Sequence, residues 1–153
     1  MAKFLATHGL SYLLEGIIID AKTSLTIVSR HFRLDDHSWT LIQQAEKRQI
    51  DIKIVFSTYD LSFEQHSFLA DSPSINTFLH PQLNANCFYN ENWMAMGSMF
   101  LHDTQHKPLR ELGMMLSAEG DHLLFRQVKL EVASIIQEAS PLSSFKGESL
   151  ILN

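Results

Sequence analysis

Runs of β-branched residues alternate with amphipathic segments in the first 60 residues, and this alternation limits the fold more strictly than any other feature of the sequence. The segment SLTIVSR (24–30) is typical of a buried strand. In IDIKIVFST (50–58) apolar residues take alternate positions, which predicts a second strand. Apolar residues recur with the helical period over 10–22 and over 35–49, where two aspartates can cap a helix. With KFLAT (3–7) as a first strand, the order predicts an α/β fold with a parallel or mixed sheet.

The second half of the chain contains shorter elements of both kinds. We predict a short helix over 62–71, strands over 74–80 and 110–117, two strands within 84–100, and a long helix over 120–139. A loop and an apolar tail are expected to follow, over 139–153. Because the sequence contains no internal repeat and no linker, a single compact unit is expected.

Length and composition fit one globular domain. The chain has 153 residues, of which 45% are hydrophobic and 19% charged, and such a chain buries a core without disulfides or metal. A single cysteine, Cys87, rules out an internal disulfide. The first residues lack both the apolar core of a signal peptide and a span long enough to cross a bilayer. We therefore expect a cytoplasmic protein that does not associate with membranes.

The net charge of −5 limits the choice of partners. Proteins that grip a nucleic-acid backbone match its phosphates with lysine and arginine, whereas the twelve basic residues of this chain are scattered. Nucleic-acid binding is therefore disfavoured and stays an alternative. The eight histidines show no convincing metal-ligand spacing, since His102 and His106 share a helical spacing but Pro108 follows and no third ligand is near. Neither a metal nor any other cofactor is predicted.

Two segments carry the functional argument, NANCFYNENWMAMGSMF (84–100) and RELGMML (110–116). Together with the order of elements, they resemble one half of the phospholipase D-like superfamily, in particular its small bacterial single-domain members. In that family one strand carries His-x-Lys-x-x-x-x-Asp, the next leads into Gly-Ser-x-Asn, and a Glu follows on a later strand. Gly97 and Ser98 stand at the Gly-Ser positions, and Glu111 stands at the later Glu.

The resemblance covers 3–138 and implies one phospholipase D-like domain there, with 139–153 as a C-terminal tail. It also implies the fold class, an α/β domain whose mixed central β-sheet is flanked by helices on both faces. The family hydrolyses or transfers phosphodiesters without metal, and two halves share one active site at their interface.

Four positions of the family pattern are changed in this chain. Asn84 stands in place of the His, Asn86 in place of the Lys, Glu91 in place of the Asp, and Phe100 in place of the Asn after Gly-Ser. The family uses its imidazoles as nucleophile and general acid, and its Lys neutralises the phosphate. A carboxamide neither attacks phosphorus nor titrates in water. No catalytic residue is therefore expected at these positions.

We predict that the former active site is closed by its own side chains. In this hypothesis Asn84, Asn86, Ser98 and Glu111 hydrogen-bond one another, because buried polar groups must be paired. Phe100 takes a position that looks polar in the family, and it is expected to narrow or plug the pocket.

Other side chains near these segments are weaker candidates for a function. Cys87 is interpreted as a buried, inert thiol, since no histidine or basic residue adjoins it. His31 and Arg33 form the nearest approximation to His-x-Lys, on an edge that the family does not use for catalysis. His102 and His106 follow the Gly-Ser strand, and their use would require a different mechanism.

Two classes of function remain. The first is a catalytically inactive phospholipase D-like protein that acts as a dimeric scaffold, binding or regulatory protein. Its predicted partner is a second copy, bound through the former active-site face near Asn84, Ser98, Phe100 and Glu111. Pairing with a different, active chain of the family is the alternative partner. The second class is a phosphodiesterase or nuclease with residual or altered activity, which Asn84, Asn86 and the acidic charge oppose.

Overall fold

In the computed structural model, which describes residues 1–99, 101 and 109–142, the described strands form one mixed sheet of eight strands. The strands are β1 (Lys3–Ala6), β2 (Ser24–Arg33), β3 (Asp51–Asp60), β4 (Ile75–Leu79), β5 (Cys87–Asn90), β6 (Trp93–Gly97), β7 (Leu112–Ser117) and β8 (Ser140–Pro141). Their order across the sheet is β1-β7-β6-β5-β2-β3-β4-β8. Strands β2, β3 and β4 are mutually parallel, and the other neighbours are antiparallel.

Helices cover both faces of this sheet. They are α1 (Thr7–Asp20), α2 (Asp36–Lys47), α3 (Phe63–Asp71) and α4 (His122–Glu138). Leu10, Ile42 and Leu69 from the first three helices belong to one hydrophobic cluster with the strand residues on that face. Phe125 and Val132 of α4 belong to a second cluster on the opposite face. The predicted α/β fold, with a mixed sheet between two layers of helices, is confirmed.

The first cluster is the larger core because it joins three helices to the strands. The alternation predicted for β3 decides which residues enter it: Ile52, Ile54 and Phe56 are fully buried on the α1 side. In the second cluster, Val28 and Val55 from the centre of the sheet pack against α4 together with Met94. Strands β2 and β3 contribute side chains to both clusters. Apolar residues therefore also occupy consecutive positions at the centre of each strand.

Local hydrogen bonds set several helix ends. The Asp35 carboxylate accepts the Ser38 N–H at 2.8 Å and starts α2. Ser62 and Gln65 form a capping box at the start of α3. The Arg48 guanidinium, just after α2, donates to the carbonyl oxygen of Ile18 at 2.6 Å. This bond fastens the end of α1 to the end of α2.

The largest differences between the predicted and observed element boundaries are at three places. Helix α1 begins at Thr7, three residues before the predicted Leu10, because β1 leads directly into it. Strand β2 continues to Arg33, since its parallel pairing with β3 extends to Asp60. Ser140 and Pro141, predicted to belong to the tail, pair with β4 as β8. The rest of the predicted tail, 143–153, lies outside the described residues.

Candidate functional site

Four neighbouring strands bring the motif residues to one edge of the sheet. Val28 in the middle of β2 pairs with Cys87 at the start of β5, and Cys87 pairs with Met96 near the end of β6. Gly97 at the end of β6 lies opposite Gly113 near the start of β7. The carboxyl ends of the parallel strands lie at this same edge, where open α/β sheets usually bind ligands.

Ser98 and Glu111 are direct partners. The Ser98 hydroxyl donates a short hydrogen bond to the Glu111 carboxylate. The same hydroxyl oxygen accepts the Leu112 N–H at 3.1 Å. On the other side, the Glu111 N–H donates to Thr7 Oγ1 at 2.8 Å, and Glu111 is buried. Contacts within the chain therefore hold both side chains.

Asn86 connects β2 to the Gly-Ser turn. Its Oδ1 accepts the backbone N–H of Arg30 at 2.9 Å, and its Nδ2 donates to the Ser98 carbonyl oxygen at 3.3 Å. The ladder between β2 and β5 ends at Val28 and Cys87. The Asn86 side chain thus continues the pairing between the two chain segments beyond the last ladder residues.

Asn84 is placed differently from its neighbours. It is exposed, and it makes no hydrogen bond to the residues that the structure describes. The structure therefore links Asn86, Ser98 and Glu111 through Ser98, while Asn84 lies beside this group and faces an open depression.

Glu91 lies apart from the other motif residues, at the far end of β5. Its carboxylate accepts backbone N–H groups of Lys22 at 2.8 Å, Thr23 at 3.3 Å and Ser24 at 3.4 Å. Partial burial acts to raise the pKa of Glu91, but these three bonds and one from its own backbone outweigh it and hold the pKa below 4.5. Glu91 therefore fastens the turn between α1 and β2.

Phe100, His102 and His106 lie outside the described residues. The expectation that Phe100 plugs the pocket stays a prediction, as does any contribution from the two histidines.

An open depression of about 570 Å³ lies next to Asn84, and we call it the Arg30 depression. Its lining residues come from the ends of β2 and β3 and from the turn after β4: Arg30, His31, Ser57, Thr58, Pro81, Gln82, Leu83 and Asn84. His31 Nδ1 and Thr58 Oγ1 are 2.8 Å apart and hydrogen-bonded. No sequence motif connects Arg30, His31 and Asn84. The one signal for such a site in the sequence is that polar residues follow buried parallel strands.

The interior side chains below the edge are inert. Cys87 is buried, and burial raises the pKa of its thiol to about 12. Met94 is fully buried in the second cluster, where its flexible side chain fills space against α4. Ordinary core packing thus accounts for these two residues.

An apolar patch of Phe4, Leu112 and Met114 adjoins the site on the α4 side of the sheet. Phe4 is paired with Met114 across β1 and β7, and Leu112 follows the buried Glu111. The three side chains are 69%, 62% and 45% exposed, in the order Phe4, Leu112, Met114. Contiguous exposed apolar side chains of this kind mark contact surfaces.

The described residues contain neither a candidate metal cluster nor a candidate membrane-spanning helix. No three histidine, cysteine, aspartate or glutamate side chains in residues 1–99, 101 and 109–142 are grouped to hold a metal ion. No described helix has both the length and the apolar character needed to cross a bilayer.

The fold has clear relatives among solved structures. Nuc, a phospholipase D family member from Salmonella typhimurium, matches with a TM-score of 0.73 and 14% identity, over 92% of this chain and 97% of that one. NucT from Helicobacter pylori matches with a TM-score of 0.73 and 14% identity, over 92% and 99% of the two chains. TrmBL2, an archaeal chromatin protein with a novel mode of DNA binding, matches with a TM-score of 0.65 and 11% identity, over 91% and 53%.

The sequence itself matches no family model and no curated protein. The chain nevertheless has the phospholipase D-like fold, which confirms the resemblance found in its sequence.

Proposed function

We propose that this chain is a catalytically inactive phospholipase D-like protein that acts as a binding or scaffold protein. The observation that carries the proposal is the commitment of Asn86, which stands where the family has its Lys. Both ends of its carboxamide bond the backbone, one at Arg30 and one at Ser98. An amide held in this way has no charge, and its one remaining N–H could offer a phosphate only a single neutral hydrogen bond.

The neighbouring groups support the same proposal. Asn84 stands where the family has its nucleophile. A carboxamide neither attacks phosphorus nor delivers a proton. The Ser98 hydroxyl donates its hydrogen bond to the Glu111 carboxylate, so this donor is already used within the chain. Removing a nucleophile that acts as part of a unit costs on the order of 10⁶ in rate, so turnover by the family mechanism falls below detection.

The decisive experiment compares the native chain with an Asn84→His/Asn86→Lys variant in the presence of chelator. The substrates are bis-p-nitrophenyl phosphate, single-stranded DNA and double-stranded DNA. We expect no cleavage by the native chain and, in the variant, cleavage of the small diester. Turnover by the native chain would refute the proposal, and the single variants show which substitution matters.

A second candidate function is a phosphodiesterase that uses altered residues. One observation favours it. His31 lines the Arg30 depression together with Asn84, so an imidazole lies near the position of the family's nucleophile. This candidate requires that the native chain cleaves a diester and that His31→Gln abolishes the cleavage. His37→Gln is the control, because His37 lies on α2 and pairs with Glu15 at 3.1 Å.

We also propose that two copies of this chain pair through the former active-site face. The apolar patch of Phe4, Leu112 and Met114 supports this, because it continues from Glu111 along the edge of the sheet and would be covered by a second copy. Pairing with an active homologous chain is the alternative. Size-exclusion chromatography with light scattering on the purified chain tests the homodimer. A monomer at micromolar concentration would argue against it.

The compartment and the partner class complete the proposal. A single cysteine, buried and unpaired, suits the reducing cytoplasm. TrmBL2 has the same fold and binds DNA, so nucleic acid stays an alternative partner, although the net charge of −5 opposes it.

A further inference from the structure

We propose that the Arg30 depression binds the terminal phosphate of a small phosphomonoester, such as a nucleoside monophosphate. The inference rests on the proposed function, since it names a ligand for a chain that binds without cleaving. It uses Arg30, His31 and Gln82, none of which stands at a position of the family's catalytic pattern, together with Asn84, which stands in place of the family's His.

The chemistry of the lining favours an anion. Arg30 supplies a cationic group and His31 an imidazole, while Gln82 and Asn84 supply amide groups. The described residues of the lining include no carboxylate. These side chains offer donors for the oxygens of a phosphate.

Among the described residues, Arg30 has no acidic partner. It is exposed, and no carboxylate of the described residues forms an ion pair with it. Arg33, three residues further along the same strand, has its guanidinium 3.8 Å from Asp60. The contrast indicates that the charge of Arg30 is available to a ligand, whereas that of Arg33 is already partly matched.

The walls of the depression are fixed by hydrogen bonds that need no ligand. Asn86 accepts the backbone N–H of Arg30 at 2.9 Å. The hydroxyl of Ser57 donates to the Pro81 carbonyl oxygen at 2.9 Å, which holds the turn after β4 against β3. His31 is oriented by its bond to Thr58. Binding therefore requires little ordering of the backbone, which lowers its entropic cost.

Charge and size favour a small ligand over a nucleic-acid strand. A nucleic acid gains affinity from several phosphates, each matched by a lysine or arginine, and the lining supplies one arginine. A terminal phosphate carries nearly two negative charges and three acceptor oxygens, which the guanidinium and the amides can share. The volume of about 570 Å³ also admits the nucleoside part.

Isothermal titration of the full chain with adenosine 5′-monophosphate tests the inference. Adenosine, inorganic phosphate, cyclic AMP and a single-stranded DNA oligomer are titrated alongside. We expect binding of the monophosphate, weaker binding of inorganic phosphate and none of adenosine. Equal binding of adenosine, or binding of the DNA oligomer alone, would overturn the inference, and so would the absence of binding by every phosphate.

Two arginine variants separate the site from general charge effects. Arg30→Gln removes a charge-assisted contact and is expected to weaken binding about tenfold or more. Arg126→Gln makes the same charge change on an exposed position in the first half of α4, outside the residues that line the depression, and should leave the affinity within about twofold. Equal affinities of both variants would contradict the proposal.

Thermal unfolding of each variant checks that Arg30→Gln is folded, and His31→Gln provides a second lining variant that should also weaken binding. The ligand and the proposed function fail separately. If the native chain neither binds nor cleaves these phosphates, only the proposed ligand is refuted. If it releases phosphate from the monophosphate or opens cyclic AMP, the proposed catalytic inactivity is refuted.

Discussion

At the scale of single residues, Asn86 holds two chain segments of the candidate site together. The carboxamide accepts from Arg30 and donates to Ser98 at the same time. A lysine ammonium has donors only, so it would leave the Arg30 N–H without this acceptor. The Asn86 side chain therefore contributes to the fold.

Substitutions of the two asparagines should have unequal effects. Asn86→Ala removes both hydrogen bonds and should lower the free energy of unfolding by about 1–2 kcal/mol. Asn84→Ala should change it by less than about 0.5 kcal/mol, because the Asn84 side chain is exposed and unbonded among the described residues. Urea unfolding of both variants measures the difference. Equal losses would show that the bonds of Asn86 contribute nothing specific.

At the scale of elements, a glycine pair lets β6 and β7 approach at the site. Gly97 and Gly113 lie opposite each other in the ladder. A Cβ on Gly97 would lie 2.6 Å from the Cα of Gly113, and a Cβ on Gly113 would meet the carbonyl oxygen of Met96. Larger residues would push the two strands apart and separate Ser98 from Glu111.

Gly113→Ala should therefore destabilise the protein by about 2–3 kcal/mol, which corresponds to a fall in melting temperature of about 6 °C. Gly16→Ala is a matched control on α1, where an added Cβ meets nothing within 4 Å. It should raise stability by about 0.5–1 kcal/mol, because alanine loses less backbone freedom on folding. A neutral Gly113→Ala would contradict the close approach of the strands.

The carboxylate of Glu91 should make the turn between α1 and β2 sensitive to acid. Its pKa is lower in the folded chain than in the unfolded chain, so its contribution is complete above about pH 4.5 and is lost as the pH falls through the folded value. Glu91→Gln should cost about 1 kcal/mol at pH 7, a modest figure because the side chain is largely exposed.

Melting temperatures of the native chain and Glu91→Gln from pH 7 to pH 3 measure this contribution. The two curves should converge in the acid range. Asp36→Asn, at an exposed first-turn position of α2, controls for the general effect of removing a negative charge. A constant difference at all pH values would rule out the ionised carboxylate as the cause.

The sequence predicted the helices and strands better than it predicted which of their residues come together at the site. The period of apolar residues located α1, β2, α2 and β3, because burial on a sheet face requires that period. The motif frame located Ser98 beside Glu111. The depression was not predictable from spacing, since Arg30, Thr58 and Asn84 meet only through the parallel pairing of β2 with β3 and the antiparallel pairing of β2 with β5.

At the scale of the whole molecule, the apolar patch on β1 and β7 is the surface best suited to a second copy. Leu112→Asp places a charge among Phe4 and Met114, and its burial in an interface would cost several kcal/mol. We expect this variant to be monomeric by light scattering at micromolar concentration.

Leu130→Asp is the control for this test, because Leu130 is also exposed, at 61%, but lies on α4. It should retain the association state of the native chain. Dissociation by Leu130→Asp, with Leu112→Asp unchanged, would transfer the interface to the helix.

The pairing of β1 with β7 also bears on how the chain is made. Lys3 is synthesised long before its partner across the sheet, Met115. On the ribosome β1 therefore stays unpaired while β2, β3 and β4 pair over shorter separations. We expect a nascent chain that stops before Glu111 to leave β1 without its partner strand β7, open to chaperones and proteases, and to leave Ser98 without Glu111.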